Sequence, residues 1–379
     1  MDRLQKRPHI LLASPDASLE MANQSPVGMP IAPDQVEAVL NGLGYQVEWW
    51  SPPAAGVNQV LKNVRLLRHY LRTADTDLLH LFLLNPSLAW ISGLLVRAGS
   101  APVLTTFSTQ CHEGFNWLLH NGSLDAMSWY MFKYVAYHPL WARLSARMPN
   151  SAAFSVASQF QIDQLKHLGF PADRLHVVPN TTDITPNAMP AQRDSRRFRI
   201  GFMGHFTPSK GVDLLLEAFE QVAGELDSSE LMLAWSGRGD SGAVRQAIQR
   251  SRYADCIRLW GRVDRVQFLR GLDLLVQPYR HLVGTQLFPN TLLEAVTVGV
   301  PLVTSDIRPL DELPGGEAAS LVRPGDPAAV AQAILALADD PAARLRQLAN
   351  QQKVARRCSP TVVAAAFHQI YQQLLTRRR

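Results

Sequence analysis

Short apolar runs recur along the chain, each followed by residues whose apolar positions repeat at helical spacing. Residues 8–14 (PHILLAS) form the first, of the kind a strand buried on both faces requires. Asp34 is placed to cap a helix over 35–43 that Gly44 ends, and 45–50 reads as the next strand. Further strands are expected at 78–84, 103–107, 152–157 and 175–178, with helices over 86–97 and 159–168. Residues 186–198, rich in Pro, Gln and charge, suit a linker. A second series follows, with strands at 199–203, 231–236, 257–260, 274–278 and 301–305. Helices over 212–223, 242–250, 266–272, 290–297 and 328–338 alternate with them. Residues 360–375 add an amphipathic helix with Val362, Ala366, Ile370 and Leu374 on one stripe. The alternation predicts an α/β chain of two Rossmann-like, doubly wound domains, 1–185 and 186–359. Ligands of such folds bind at the carboxyl ends of the strands, so a cleft between the two domains is the expected site.

Composition removes several classes. Apolar residues make up 47% and charged ones 18%, outside the low-hydrophobicity, high-charge range of disordered chains. Cys111, Cys256 and Cys358 have no CxxC spacing, which argues against a disulfide scaffold or a zinc site and for a reducing cytoplasm. Residues 78–96 hold no Asp, Glu, Lys or Arg and are long enough to cross a bilayer, but Asn85-Pro86 divides them into a strand and a helix. No secretory leader is expected, since only a short apolar run follows Arg3, Lys6 and Arg7. The net charge of +5 is uneven: 13 basic and 13 acidic residues up to 185, then 24 and 19. The excess suits an anionic ligand, and equally suits arginines coating helices; Arg377, Arg378 and Arg379 read as a solvated tail. No dense basic stripe of a nucleic-acid binder is present.

The motifs narrow the chemistry further. The turn after the first strand lacks G-x-G-x-x-G, and neither a P-loop nor G-x-S-x-G occurs, so dehydrogenase, P-loop NTPase and hydrolase readings lose their support. Gly201-Phe-Met-Gly204 follows a strand, and Lys210-Gly211 opens a helix. Such a turn brings backbone N–H groups, a helix dipole and a cation to a phosphate; a plain turn with a solvated Lys210 is the other reading. Downstream, Gln286-Leu-Phe-Pro-Asn-Thr-Leu-Leu-Glu294 precedes Gly299-Val-Pro301. Pro289 and Asn290 suit the N1 and N-cap places of a helix. Glu294 sits among Leu292, Leu293, Ala295 and Val296, where a carboxylate either serves a ligand or caps its own helix.

Taken together these segments resemble the retaining nucleotide-sugar glycosyltransferases of family 4, which have the two-domain GT-B fold. Leu40-x3-Gly44-Tyr-x-Val47 is similar to that family's first helix ending, and Val178-Pro-Asn-Thr-Thr-Asp183 to its V-I-P-N-G-V-D element. Gly204 to Gly211 resembles the G-R-L-x-x-x-K-G loop, Ser236-Gly-Arg-Gly239 the G-x-G-P turn, and Trp260-Gly-Arg-Val263 the F-x-G-x-V segment. Gln286 to Pro301 resembles the E-x7-E motif with its trailing G-x-P-V-V. The resemblance implies that Lys210 and the amides of Asn290 and Thr291 meet the donor diphosphate near Gly204. It further implies that Glu294 accepts from the ribose hydroxyls and that Arg262 and Val263 border the base. It implies an acceptor-binding first domain, onto which the helix at 360–379 crosses back, and a donor-binding second domain. It also implies catalysis without a cofactor or divalent metal.

The chain departs from the family pattern in places. His205 stands where the family has Arg, Gln286 where it has the first Glu, and Ser108 where it has a histidine; its G-G loop is reduced to Gly28. Two readings follow: an active transferase with an altered sugar or acceptor site, or a relative that binds a nucleotide sugar without transferring it and acts with a partner. Residues 109–147 are rich in aromatics and histidines. His112, Glu113, Trp117, His120, Trp129 and Tyr130 either line an acceptor pocket, with His112 or Glu113 as base, or pack a core or lid. Trp129, Lys133, Tyr134, Tyr137, Trp141 and Arg143 could alternatively form an interfacial helix on a membrane, making the acceptor a lipid.

Overall fold

The computed structural model describes residues 7–15, 33–50, 52, 59–83, 86–96, 101–108, 138–147, 152–184, 197–282, 289–312 and 315–377. The chain divides into two compact units, Met1–Asp183 with Cys358–Arg379, and Ile184–Val283 with Phe288–Arg357.

The first unit is built on a parallel sheet of β1 (His9–Ala13), β2 (Gln46–Trp50), β3 (Leu78–Leu83), β4 (Val103–Phe107), β5 (Ala153–Val156) and β6 (Leu175–Val177). Their order across the sheet is β2-β1-β3-β4-β5-β6, with Ile10 opposite Leu78 and Leu79 opposite Val103. β1, β3, β4 and β5 are buried along their whole lengths, which is why they read as unbroken apolar runs. On one face Leu11, Leu79, Leu81, Phe107 and Phe154 pack with Val64, Leu67 and Leu71 of the Val60–Thr73 helix and Ile162 of Gln159–His167. On the other, Ile10, Leu12, Leu78 and Phe82 meet Val36 and Leu40 of the Pro33–Gly42 helix and the C-terminal helix Pro360–Thr376.

That last helix buries Val363, Ala364, Phe367, Ile370, Tyr371 and Leu374, while Val362 is 48% exposed. Ile370 and Leu374 of the expected stripe thus face inward and Ala366 packs against the core, whereas Val362 does not; the stripe widens to take in Val363, Phe367 and Tyr371, whose hydroxyl lies 2.7 Å from His80 Nδ1. Two further expectations are corrected. The Pro33–Gly42 helix starts at its proline, leaving Asp34 in the first turn instead of at the cap. The segment expected as one helix over 86–97 is a 3₁₀ turn, Pro86–Leu88, followed by a helix, Trp90–Val96. Among the described residues no helix is long and apolar enough to cross a membrane.

The second unit repeats the plan with β7 (Phe198–Phe206), β8 (Ser229–Gly239), β9 (Ile257–Trp260), β10 (Leu274–Gln277), β11 (Leu302–Ser305) and β12 (Ser320–Val322). Their order is β12-β11-β10-β7-β8-β9, all parallel. β8 runs on to Gly239, opposite Phe206; a Cβ there would lie 2.0 Å from the Phe206 carbonyl oxygen, so only glycine lets the two strands turn together. The Pro341–Arg357 helix has no counterpart in the sequence expectations because two of its three buried residues, Gln347 and Gln351, are amides and only Val354 is apolar. Gln347 accepts from Leu302 N–H at 3.0 Å, and Gln351 donates to the carbonyls of Val300 and Ala318 at 2.9 and 3.0 Å. With every strand parallel, the carboxyl ends share one edge of the sheet, where the following helices begin.

Candidate functional site

β7 leaves the sheet through Gly204, His205 and Phe206 into a 3₁₀ turn, Pro208–Lys210. Gly211 then takes φ +70° and stands at the N-cap of the Val212–Glu225 helix. A Cβ at this position would lie 2.0 Å from the Pro278 carbonyl oxygen, so the turn is seated directly on the loop after β10. Arg280 ties the two loops together. Its backbone N–H donates to Ser209 at 3.0 Å, and its guanidinium donates to the Pro208 carbonyl at 3.0 Å and to both Asp213 oxygens at 2.7 Å.

This seating carries the Lys210 ammonium to Tyr279, 3.5 Å from the hydroxyl and 4.6 Å from the ring centroid. Tyr279 is fully buried. Loss of hydration lowers the Lys210 pKa to about 7 and raises that of the Tyr279 phenol. The ring's negative face compensates part of that loss. An ammonium in such a setting is favoured by a nearby anion, which would raise its pKa again.

Around the turn stand the neighbouring loops. His205 Nδ1 and Ser236 Oγ are 2.6 Å apart. Gly237 follows at φ +100°, and the Arg262 guanidinium lies 3.6 Å from where its Cβ would be. Arg262 and Val263 follow β9 after Gly261, with Arg262 exposed.

The Asn290–Val298 helix opens with Pro289 at the N-cap and Asn290 as the first helical residue, the reverse of the places expected for them. Proline's fixed φ of −60° suits either position, and no side-chain cap bond forms to hold Asn290 at the cap. Asn290 Oδ1 is buried without a hydrogen-bond partner. Four residues on, Glu294 is 4% exposed and pairs with the Arg265 guanidinium. Arg265 is the first residue of the Arg265–Arg270 helix, whose N-cap Asp264 accepts from Gln267 N–H at 2.8 Å.

Gly204, His205, Lys210, Arg262, Val263, Asn290, Thr291 and Glu294 thus all lie at the carboxyl edge of the second sheet, in loops leaving it or in the opening turns of the helices that follow. Gln286, His112, Glu113 and Gly28 lie outside the described residues, as do most of the other aromatic candidates of 109–147. Ser108 is in the first unit, buried just after β4, its N–H donating to the Leu83 carbonyl at 3.1 Å. Arg265, Tyr279 and Arg280 were not singled out in the sequence. An arginine directly after a capping aspartate was the available signal for the first; nothing local marked the other two. A lysine, an exposed arginine and two helix N-termini on one edge can hold a polyanion, and a buried carboxylate beside them can accept from hydroxyl groups. Among the described residues no cluster of His, Cys, Asp and Glu could hold a metal ion.

Two family models match the chain. Residues 12–181 match the family model of the glycosyl transferase 4-like domain, and residues 197–340 that of glycosyl transferases group 1. The phosphatidyl-myo-inositol mannosyltransferase of Mycobacterium leprae is 27% identical over 319 residues, 82% of this chain and 77% of its own length. Among solved structures, sucrose-phosphate synthase from Thermosynechococcus elongatus superposes with a TM-score of 0.76 at 18% identity, covering 98% of this chain and all of that one. Anabaena HepE in complex with UDP-glucose superposes with a TM-score of 0.70 at 14% identity, covering 96% and 99%. With both halves matched in order and two six-stranded parallel sheets in place, the chain belongs to the family 4 glycosyltransferases and has the GT-B fold.

Proposed function

We propose that this glycosyltransferase moves a sugar from a UDP- or GDP-sugar to a glycan or lipid-linked acceptor, with retention at the anomeric carbon and without a divalent metal. The observation that carries the reading is Lys210, held over Tyr279 at the mouth of the Val212–Glu225 helix. As the bond from C1 to the diphosphate oxygen breaks, negative charge grows on the departing phosphate. Lys210 and the helix N-termini at Gly211 and Asn290 stabilise that charge in the transition state. The acceptor oxygen bonds to C1 on the same face, and its proton passes to the departing diphosphate. Glu294 receives the ribose hydroxyls, while Arg262 and Val263 border the base; His205 and Gln286 complete the diphosphate and sugar side. The first unit takes the acceptor, with Ser108, His112 and Glu113 as its candidate contacts.

In this reading the enzyme works on the cytoplasmic face of an anionic membrane. The Val60–Thr73 helix buries Val60, Val64, Leu67 and Leu71 and turns outward Leu61 and Leu66 together with Lys62, Arg65 and Arg72, with no acidic residue along its length. His138–Ala146 likewise exposes Leu140, Trp141 and Leu144 beside Arg143. Exposed apolar residues among cations suit a lipid surface, and the mycobacterial relative is named for a lipid acceptor.

Calorimetry with UDP, GDP and their sugars tests the donor side. Binding of one of them by the native protein and its loss in Lys210→Ala is the expected result. A protein that binds neither nucleotide overturns the proposal.

A further inference from the structure

A buried carboxylate recognises a diol only if its plane is held in one orientation, and the sequence motif around Glu294 supplies nothing that does this. The structure supplies it from another helix. Arg265 opens the Arg265–Arg270 helix, and its Nη1 donates to Glu294 Oε1 across to the Asn290–Val298 helix. Both ends of the pair are anchored. Asp264 caps the arginine's helix, which buries Phe268 and Leu269 beneath it. Glu294 is flanked by the buried Leu292, Leu293, Ala295 and Val296. The arginine is 42% exposed along its side chain and the glutamate 5%, so the guanidinium reaches from the solvent edge to a carboxylate that is nearly enclosed. A carboxylate can accept from an arginine N–H and from hydroxyl groups at the same time, and this charge-assisted bond to Oε1 restricts how the Glu294 carboxylate can turn.

We infer that Arg265 is a positioning residue for ribose recognition: it orients the Glu294 carboxylate toward the hydroxyls of the donor nucleoside. The inference rests on the proposed role of Glu294 and adds to it the residue that makes this carboxylate selective. Arg265 also places a positive charge at the same edge on which His205 stands in place of an arginine.

The test is the ratio of affinities for a ribonucleotide and its 2′-deoxy counterpart, UDP against dUDP and GDP against dGDP, measured calorimetrically on the whole chain. Native protein is expected to prefer the ribonucleotide by roughly tenfold, the scale of one hydrogen bond to a charged group. Glu294→Gln should reduce the preference to near one. Arg265→Gln should reduce it comparably while still binding both nucleotides, and Arg265→Lys should restore part of it. A change in packing alone would weaken both nucleotides equally and leave the ratio intact. Preference lost in Glu294→Gln but kept in Arg265→Gln overturns the inference and leaves the Glu294 role standing. Preference kept in Glu294→Gln overturns the ribose role itself. Thermal melting of each variant identifies one that has failed to fold, and Arg265→Lys then serves as the deciding variant.

Discussion

The Lys210 ammonium stands 4.6 Å from the centre of the Tyr279 ring, in a setting that lowers its pKa to about 7. Its charge in the unliganded protein therefore depends on pH within the working range. Below pH 7 the amine is protonated and ready for a diphosphate; above it, binding must take up a proton. Affinity for UDP-glucose or GDP-mannose, whichever binds, is expected to fall as pH rises past 7, by up to about tenfold per unit. Calorimetry in buffers of different ionisation enthalpy should show that proton uptake. In Lys210→Arg the guanidinium stays charged and the dependence should flatten. A native affinity that is level from pH 6 to 9 would refute this account.

The same depressed pKa bears on stability with the opposite outcome. The unfolded chain, where lysine titrates near 10.4, binds more protons than the folded one between pH 7 and that value, so this group disfavours folding at neutral pH and less so as pH rises. Lys210→Met is expected to raise stability at pH 7 by about 1–3 kcal/mol while abolishing donor binding, the full 1.36 kcal/mol per unit being discounted because the stem is partly exposed. Denaturant melts at pH 7 and pH 10 should show the gain shrinking at the higher pH.

Gly211 and Gly44 separate the cost of a backbone angle from the cost of a collision. Both have positive φ, +70° and +93°. A Cβ at Gly44 meets nothing within 4 Å, whereas at Gly211 it meets the Pro278 carbonyl at 2.0 Å. Gly44→Ala should cost about 1 kcal/mol, the left-handed penalty alone. Gly211→Ala must also part the turn from the loop after β10, and should cost about 3 kcal/mol or more. It should also displace Lys210, so nucleotide binding is lost in the second variant and kept in the first.

How far the sequence foretells these features depends on what holds each one. β1, β3, β10 and β11 are legible as apolar runs because central parallel strands are buried on both faces. The Pro341–Arg357 helix is not, because Gln347 and Gln351 turn inward and bond backbone groups, a task with no periodic apolar signal. Lys210 and Glu294 stand out by their place beside a glycine turn and inside an apolar stretch. Arg265 and Tyr279 do not, since each matters through a partner 29 or 69 residues away that only the folded sheet brings near.

His80 gives the first unit its own acid response. It is fully buried, with Nδ1 at 2.7 Å from the Tyr371 hydroxyl and Nε2 at 2.7 Å from Thr106 Oγ1, and burial lowers its pKa to about 3. The unfolded state binds the extra proton between pH 6.5 and 3, so the contribution of the neutral ring to stability is present above pH 6.5 and lost as pH falls toward 3. His80→Phe removes the titration but leaves the Tyr371 and Thr106 hydroxyls without that partner. It is expected to cost about 2–4 kcal/mol at pH 7 and to flatten the decline of the melting temperature below pH 6.

The exposed face of the Val60–Thr73 helix sets the last expectation. Lys62, Arg65 and Arg72 each add about 1 kcal/mol near an anionic surface, and Leu61 and Leu66, 57% and 40% exposed, can enter the headgroup region. Vesicles containing phosphatidylglycerol should pellet the protein and vesicles of phosphatidylcholine alone should not, with binding weakened in 0.5 M salt. Replacing the three cations by Gln should lower the partition coefficient by about two orders of magnitude, while Leu61→Ser with Leu66→Ser lowers it with little change in the salt dependence. Because this helix packs through Val64, Leu67 and Leu71 and not through its outward residues, the variants should melt within about 0.5 kcal/mol of the native protein. Equal pelleting with both kinds of vesicle would place the membrane contact elsewhere.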